Sequence, residues 1–300
     1  MAAEICMLHL LLFFIEIVAM PNLYKFVKSI DAVRNLICGR LRFSTISELN
    51  DPCELLDEIN RDLVIESLKR IRKSGYSDYE YSWLQKQAAI LYALAPDKQA
   101  IPLPVSAQDA HRQIMSSFYD NIDRMAQLQR DAVLEIRKIS GILSLSLRYD
   151  SLPMWAHYAD NARGFVVIFK DLEDFFSGDE TGVLDEVKPV IYSNVFRGMT
   201  FDPSSQNELF FWKHADWAYE QEVRVVSSLK KCNFSEINGN NMFIRSIDKK
   251  YISGIILGWN IDKSIRSIAY SLISDAGRPI EIFQARLDKV TVVIDKLDLT

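Results

Sequence analysis

The stretch Trp217-Ala-Tyr-Glu-Gln-Glu-Val-Arg-Val-Val226 places two carboxylates and a guanidinium close together in a β-favouring run. As a strand, its period of two sends Glu220, Glu222 and Arg224 to one face and Gln221, Val223 and Val225 to the other. Three charges on one face are costly if that face is buried and natural if it lines a wet cleft. A glutamate paired to a neighbouring arginine stays ionised and can stabilise a developing cation on a sugar. Glu222 is therefore the first candidate for a catalytic acid and Glu220 the second. The same spacing also describes a solvated strand face whose charges pair across to a neighbour.

A second group with chemical potential is the segment Leu152–Arg163, LPMWAHYADNAR. At helical spacing Trp155, Tyr158, Ala159 and Ala162 share one face, and Met154, His157 and Asn161 another. Such a face is either core or an aromatic surface that stacks a flat ring, with His157 or Tyr158 as its polar tip. A third is Arg42 with Ser44. A guanidinium grips phosphate bidentately, which suits a nucleotide ligand. Neither GxGxxG nor GxxxxGK[ST] occurs, so the common dinucleotide and P-loop sites are unsupported. Asp51, Glu54, His157, Glu220 and Glu222 form a carboxylate-and-histidine set suited to Mg²⁺ or Mn²⁺ hydrolysis. No HxxxH or HExxH spacing accompanies them, and Asp51-Pro-Cys-Glu54 already reads as a helix capping box, so no metal site is assigned.

Composition bounds what can position these groups. The chain has 300 residues, 49% of them hydrophobic, enough for a substantial core. A net charge of -5 gives nucleic acid no overall attraction, though a local basic groove remains possible. The four cysteines are scattered, which argues against structural zinc and for a reducing, cytoplasmic setting. Residues 1–20 form an apolar extension interrupted by His9 and Glu16. It reads as translated sequence ahead of a true start at Met20, as a core or interface helix, or as a weak anchor; the first reading is adopted. The run is shorter than a bilayer span, and no stable membrane association is expected.

From Leu23 onward the pattern predicts one α+β domain over 21–300, a mixed twisted sheet of short strands with flanking helices. Strands are expected at Leu23–Val27, Arg40–Ser44, Ile142–Leu147, Phe165–Phe169, Pro189–Tyr192, Glu220–Ser227, Tyr251–Leu257, Ile280–Gln284 and Val290–Val293. Helices are expected at Ile30–Cys38, capped by Ser29 and stopped by Gly39, at Leu152–Arg163 and at Asp262–Ser274. A glycine-poor helical insertion fills about 55–140.

The segments LYKF, LRFST…LNDPCE, ILSLS…MWAHYADNARGFVVIF, VIYS, WAYEQEVRV and ISGIILG, in that order, resemble the bacterial domain-of-unknown-function family 2971. The resemblance runs from about Leu23 to Val293 and is loosest over the helical insertion. More distantly, the chain is similar to the ADP-ribosyltransferase fold, particularly its DNA-modifying toxin branch. There too an early strand, a short helix and a glycine turn precede an aromatic helix and a late-strand glutamate. The resemblance implies NAD as cofactor, held by Tyr24, Arg42, Ser44, Trp155, His157 and Tyr158, with Trp155 or Tyr158 against the nicotinamide. It implies Glu222 or Glu220 as catalytic acid, a nucleic-acid or protein acceptor, and a role in bacterial defence or toxicity. The early His or Arg of that fold is missing unless Lys25 or Arg42 replaces it. The alternative is a non-enzymatic protein whose charged cleft recognises a ligand or partner.

Overall fold

In the computed structural model, residues 22–51, 138–177, 184–195, 208–237 and 240–298 are described, with isolated positions between 66 and 85. The apolar extension 1–20, Glu54 and nearly all of the helical insertion lie outside them. Leu23–Val27 forms β1 and Ile30–Ile37 forms α1. Ser29 caps α1 by accepting from the Ala32 N–H at 3.2 Å. Gly39 follows at φ +75°, where a Cβ would stand 2.4 Å from the Ile247 carbonyl oxygen, so this turn requires glycine. It leads into β2, Arg40–Thr45, where Leu41 and Phe43 are buried while Arg42 and Ser44 keep some exposure, as alternation predicts. Then come β3 (Ser140–Ser146), α2 (Leu152–Tyr158), β4 (Phe165–Phe169), β5 (Val187–Pro189) and β6 (Ile191–Tyr192). The chain continues through α3 (Glu208–Phe211), β7 (Trp212–Lys213), β8 (Glu222–Ser228), β9 (Asn233–Ile237) and β10 (Asn240–Ser246). It closes with β11 (Ile252–Leu257), α4 (Lys263–Ser274), β12 (Glu281–Asp288) and β13 (Thr291–Leu297). The α+β class expected from the sequence is the class found.

The described residues divide between two compact units. The first takes Met1–Arg40, Leu145–Phe176 and Ile247–Thr300. Its strand order is β13-β12-β11-β4-β1. The apolar run of β4 is buried at all five positions because β1 and β11 both pair with it antiparallel, Lys25 and Ile255 flanking Val167. β11 and β12 run parallel, as the α4 crossover between them demands, and β12 and β13 close as a hairpin. Asp262 caps α4 by accepting from the Ser264 N–H at 2.7 Å.

The second unit takes Leu41–Ser144 and Ser177–Ser246. Here β8 pairs with β5, Val187 opposite Val225, and with β3, while β2, β10 and β9 follow β3 in order. Ile142, Leu184, Phe210, Phe211 and Val226 make a core cluster of this unit. β6 and β7 pair apart from that sheet, Ile191 with Trp212 and Tyr192 with Lys213, in parallel.

Three local expectations are corrected. β3 was expected to be half-buried, yet Ser140 and Ser146 are fully covered, serine being small enough for a packed face. Ser146 satisfies its hydroxyl locally by accepting from the Arg148 N–H at 3.1 Å and donating to the Arg148 carbonyl at 2.9 Å. The helix expected to reach Arg163 stops at Tyr158, because Asp160, Asn161 and Ala162 turn left-handed at φ 48°, 54° and 61°. The strand expected from Glu220 begins at Glu222: Ala215–Glu220 is a 3₁₀ turn, and Gln221 at φ 41° swings the chain into β8.

Candidate functional site

The left-handed Gln221 decides where the two glutamates go. Glu220 ends the 3₁₀ turn and Glu222 opens β8, so they do not share a strand face. Both side chains nonetheless reach one cation. Lys213 Nζ donates to Glu220 Oε2 at 2.6 Å and to Glu222 Oε2 at 3.3 Å. Two residues along β8, Arg224 completes the group: its Nε donates to Glu222 Oε1 at 2.7 Å and its second terminal nitrogen to Oε2 at 2.9 Å. Its remaining terminal nitrogen donates to the Phe210 carbonyl at 2.7 Å, anchoring the guanidinium on α3. The Glu222 backbone N–H donates to the Tyr192 hydroxyl at 2.8 Å, so β6, β7 and β8 meet at this point.

The charged face is not a wet cleft. Lys213, Glu220, Glu222 and Arg224 are 4%, 3%, 5% and 1% exposed, which corrects the solvent-lined reading. Two carboxylates and two cations neutralise one another, and the fork-to-fork geometry of Arg224 on Glu222 is what makes such burial tolerable. Burial pushes the Glu222 carboxyl up, but the charges of Arg224 and Lys213, with hydrogen bonds from Arg224 and Ser144, overcome it and hold the group at about 2. Glu222 is therefore ionised at any ordinary pH. Burial pushes the Tyr192 phenol up, with the negative charges of Glu222 and Glu220 adding to that. On the rim, the Trp217 ring lies 4.8 Å from Lys213 Nζ and 6.0 Å from the Tyr219 ring.

The other candidates fall as follows. In the second unit, Arg42 is engaged by Glu48, and Ser44 is partly exposed on β2 opposite Ile142. In the first, Trp155 is 0% exposed, packed edge-on to Phe26 at 5.4 Å and against Trp259 at 5.3 Å. Its indole N–H donates to the Tyr149 carbonyl at 2.7 Å. Of the aromatic helix, Tyr158 and His157 are the rings that keep exposed surface, 6.2 Å apart. Tyr24 is half-buried beside Tyr149, their rings 5.4 Å apart, and burial raises its phenol. Asp51 is buried at the end of the described segment. Among the described residues, no group of three or more His, Cys, Asp or Glu is arranged to hold a metal ion. Among them also, no helix is long and apolar enough to cross a membrane.

Lys213, Tyr192 and Arg224 are the members that sequence reasoning missed or ranked too low. The available signal was the lone lysine of Phe210-Phe-Trp-Lys213, a charge in an apolar run, which calls for a buried counter-ion.

Fold and centre together define a mixed α+β protein with a sealed, charge-neutral four-residue ion cluster at the head of β8. Residues 154–225 match the family described as "Protein of unknown function (DUF2971)". That stretch runs from α2 to Val225 and takes in His157, Tyr158, Lys213, Glu220, Glu222 and Arg224, which supports the resemblance to this family and brings no activity with it. No curated protein and no solved structure gives a significant match.

Proposed function

We propose that the chain is an ADP-ribosyltransferase-like enzyme using NAD, with Glu222 as its catalytic acid and Glu220 beside it. The observation that carries this reading is that Glu222, at the head of a late strand, is held ionised in a water-poor setting by Arg224 and Lys213. An ionised carboxylate stabilises a ribose that becomes cationic as the nicotinamide bond breaks, so this reading requires the cluster, closed and charge-balanced here, to open and present Glu222 to the substrate. The order of elements also supports the reading: β1, α1, the Gly39 turn, β2, the aromatic α2, then Glu222 opening β8. Tyr24, His157 and Tyr158 in the first unit, and Arg42 and Ser44 in the second, each keep exposed or half-exposed surface. Trp155, sealed in the core, serves this reading only as the support of α2.

One observation favours a second reading, recognition without catalysis: both oxygens of Glu222 are already bonded. A carboxylate so engaged is part of a fixed internal frame.

One experiment separates the two. Nicotinamide release from NAD is measured for wild type and Glu222→Gln, with unfolding midpoints recorded in parallel. The transferase reading expects release by wild type and a loss of at least ~100-fold in Glu222→Gln, the size seen when one charge-stabilising group is removed. No release by folded wild type, with or without protein and DNA acceptors, ends it and leaves the recognition reading.

A further inference from the structure

The first unit contains a cleft that neither reading uses. It has a volume of about 770 Å³ and is lined by Lys28, Arg163 and Lys263, with Asn260, Asp160 and Asp262 among its other polar residues. Phe165, Ile261 and Ile265 give it an apolar floor. A cleft of this size suits a small organic ligand, and its lining has the usual composition of such sites, an apolar base with a few convergent polar groups.

Its charge points to the kind of ligand. Both carboxylates are already employed. Asp262 accepts from the Ser264 N–H at 2.7 Å and is also bonded by the Ser264 hydroxyl, which holds its carboxyl below the usual range. Asp160 faces Arg163 at 3.9 Å. Among the described residues, neither lysine ammonium has an ion pair or hydrogen-bond partner. The lining thus carries three cations against two carboxylates, a small positive excess in a chain whose net charge is -5. The helix ends nearby contribute little, since Ser29 and Asp262 already cap α1 and α4; the attraction rests on the side chains.

The cleft wall is also held rigidly. The left-handed turn Asp160–Ala162 is pinned by Asn260, whose side-chain amide donates to the Asn161 carbonyl at 3.0 Å and whose backbone N–H donates to the Ala162 carbonyl at 2.9 Å. Gly258 allows that approach, because a Cβ there would stand 2.1 Å from the Ala162 oxygen. Three consecutive non-glycine residues in the left-handed region persist only where their surroundings over-determine them. The segment leads into Arg163, which lines the same cleft as Lys28 and Lys263.

From these observations we propose that this cleft binds a small phosphorylated ligand, with Lys28 and Lys263 meeting the phosphate charge and Arg163 released from Asp160 to grip it bidentately. The ligand class is a diphosphate-bearing small molecule whose flat or apolar part rests on Phe165 and Ile261.

The test is isothermal titration of the full chain at low ionic strength with inorganic pyrophosphate and with ADP. Three proteins are compared: wild type, Lys28→Ala/Lys263→Ala, and Glu222→Gln. Both lysines are exposed, so the double variant is expected to keep the wild-type unfolding midpoint. The proposal expects both probes to bind wild type, ADP more tightly, with affinity at least 10-fold weaker in the double variant and unchanged in Glu222→Gln. Absence of heat with both probes on wild type overturns it, as does equal binding by the double variant. Because Glu222→Gln is expected to bind normally here, failure of the transferase reading leaves this outcome untouched.

Discussion

The ion cluster of the second unit and the cation-lined cleft of the first fix polar groups in opposite ways. In the cluster, every charge faces an opposite charge, water is excluded, and the four side chains hold one another. In the cleft, two exposed lysines have no ion pair among the described residues, and it is the backbone, bent through Asp160–Ala162, that is constrained. Stability in the cluster depends on side-chain identity, whereas the cleft side chains can be changed at little cost to the fold. Balanced charge favours a frame or a fixed field; unbalanced charge favours a mobile counter-ion.

The sharpest way to break this contrast is to remove one member of the cluster. Arg224→Met leaves the Glu222 carboxylate buried with Lys213 alone, and breaking a buried pair in this way costs about 3–5 kcal/mol. Lys28→Ala, a change at an exposed side chain, is expected to fall within about 0.5 kcal/mol of wild type. Urea unfolding of both variants measures the difference. If Arg224→Met costs under ~1 kcal/mol, the cluster does not hold its unit together.

The next effect concerns pH. The Glu222 carboxyl drops from its ordinary 4.5 to about 2 in the folded state. A depressed carboxyl contributes stability that is fully present above its unfolded value and disappears as pH falls through 4.5 toward 2. A shift of that size corresponds to on the order of 3 kcal/mol. Unfolding free energy followed from about pH 6 to about pH 3 should fall more steeply for wild type than for Glu222→Gln, which has no carboxyl to protonate there. Parallel curves would place the acid sensitivity elsewhere.

These two regions also differ in how far the sequence announced them. Strands such as Phe165–Phe169 and the caps Ser29 and Asp262 were legible because pattern and propensity act locally. The importance of Glu222 was legible too, from its spacing to Arg224. Its burial was not, since Lys213 lies nine positions away on another strand and only tertiary pairing joins them. The Glu220–Ser227 strand began late for a related reason: nothing in Tyr219-Glu-Gln-Glu222 signals that Gln221 turns left-handed. The cleft went unread altogether. Lys28, Arg163 and Lys263 sit at the ends of separate elements, and each alone is an ordinary surface charge.

The smallest expected effect tests the backbone side of the contrast, at Ala162. This residue is 0% exposed at φ 61°, a conformation that costs an L-residue roughly 1–2 kcal/mol and glycine almost nothing. Ala162→Gly relieves that strain. It also removes a buried methyl, worth about 0.8 kcal/mol, and adds about 0.4–1 kcal/mol of unfolded-state entropy. The contributions nearly cancel, so the unfolding free energy should move by less than about 0.5 kcal/mol. Ala162→Val shares none of these compensations: its branched side chain aggravates the left-handed strain and overpacks a position that is 0% exposed, and it should destabilise by about 2 kcal/mol or more. Pyrophosphate titration of the two variants then links backbone to charge. If the pinned turn is what presents Arg163, Ala162→Gly should bind as wild type does, and Ala162→Val, wherever it remains folded, should bind more weakly. A folded Ala162→Val with unaltered binding would show that the cleft depends on its cations alone and that the left-handed turn serves only to end α2.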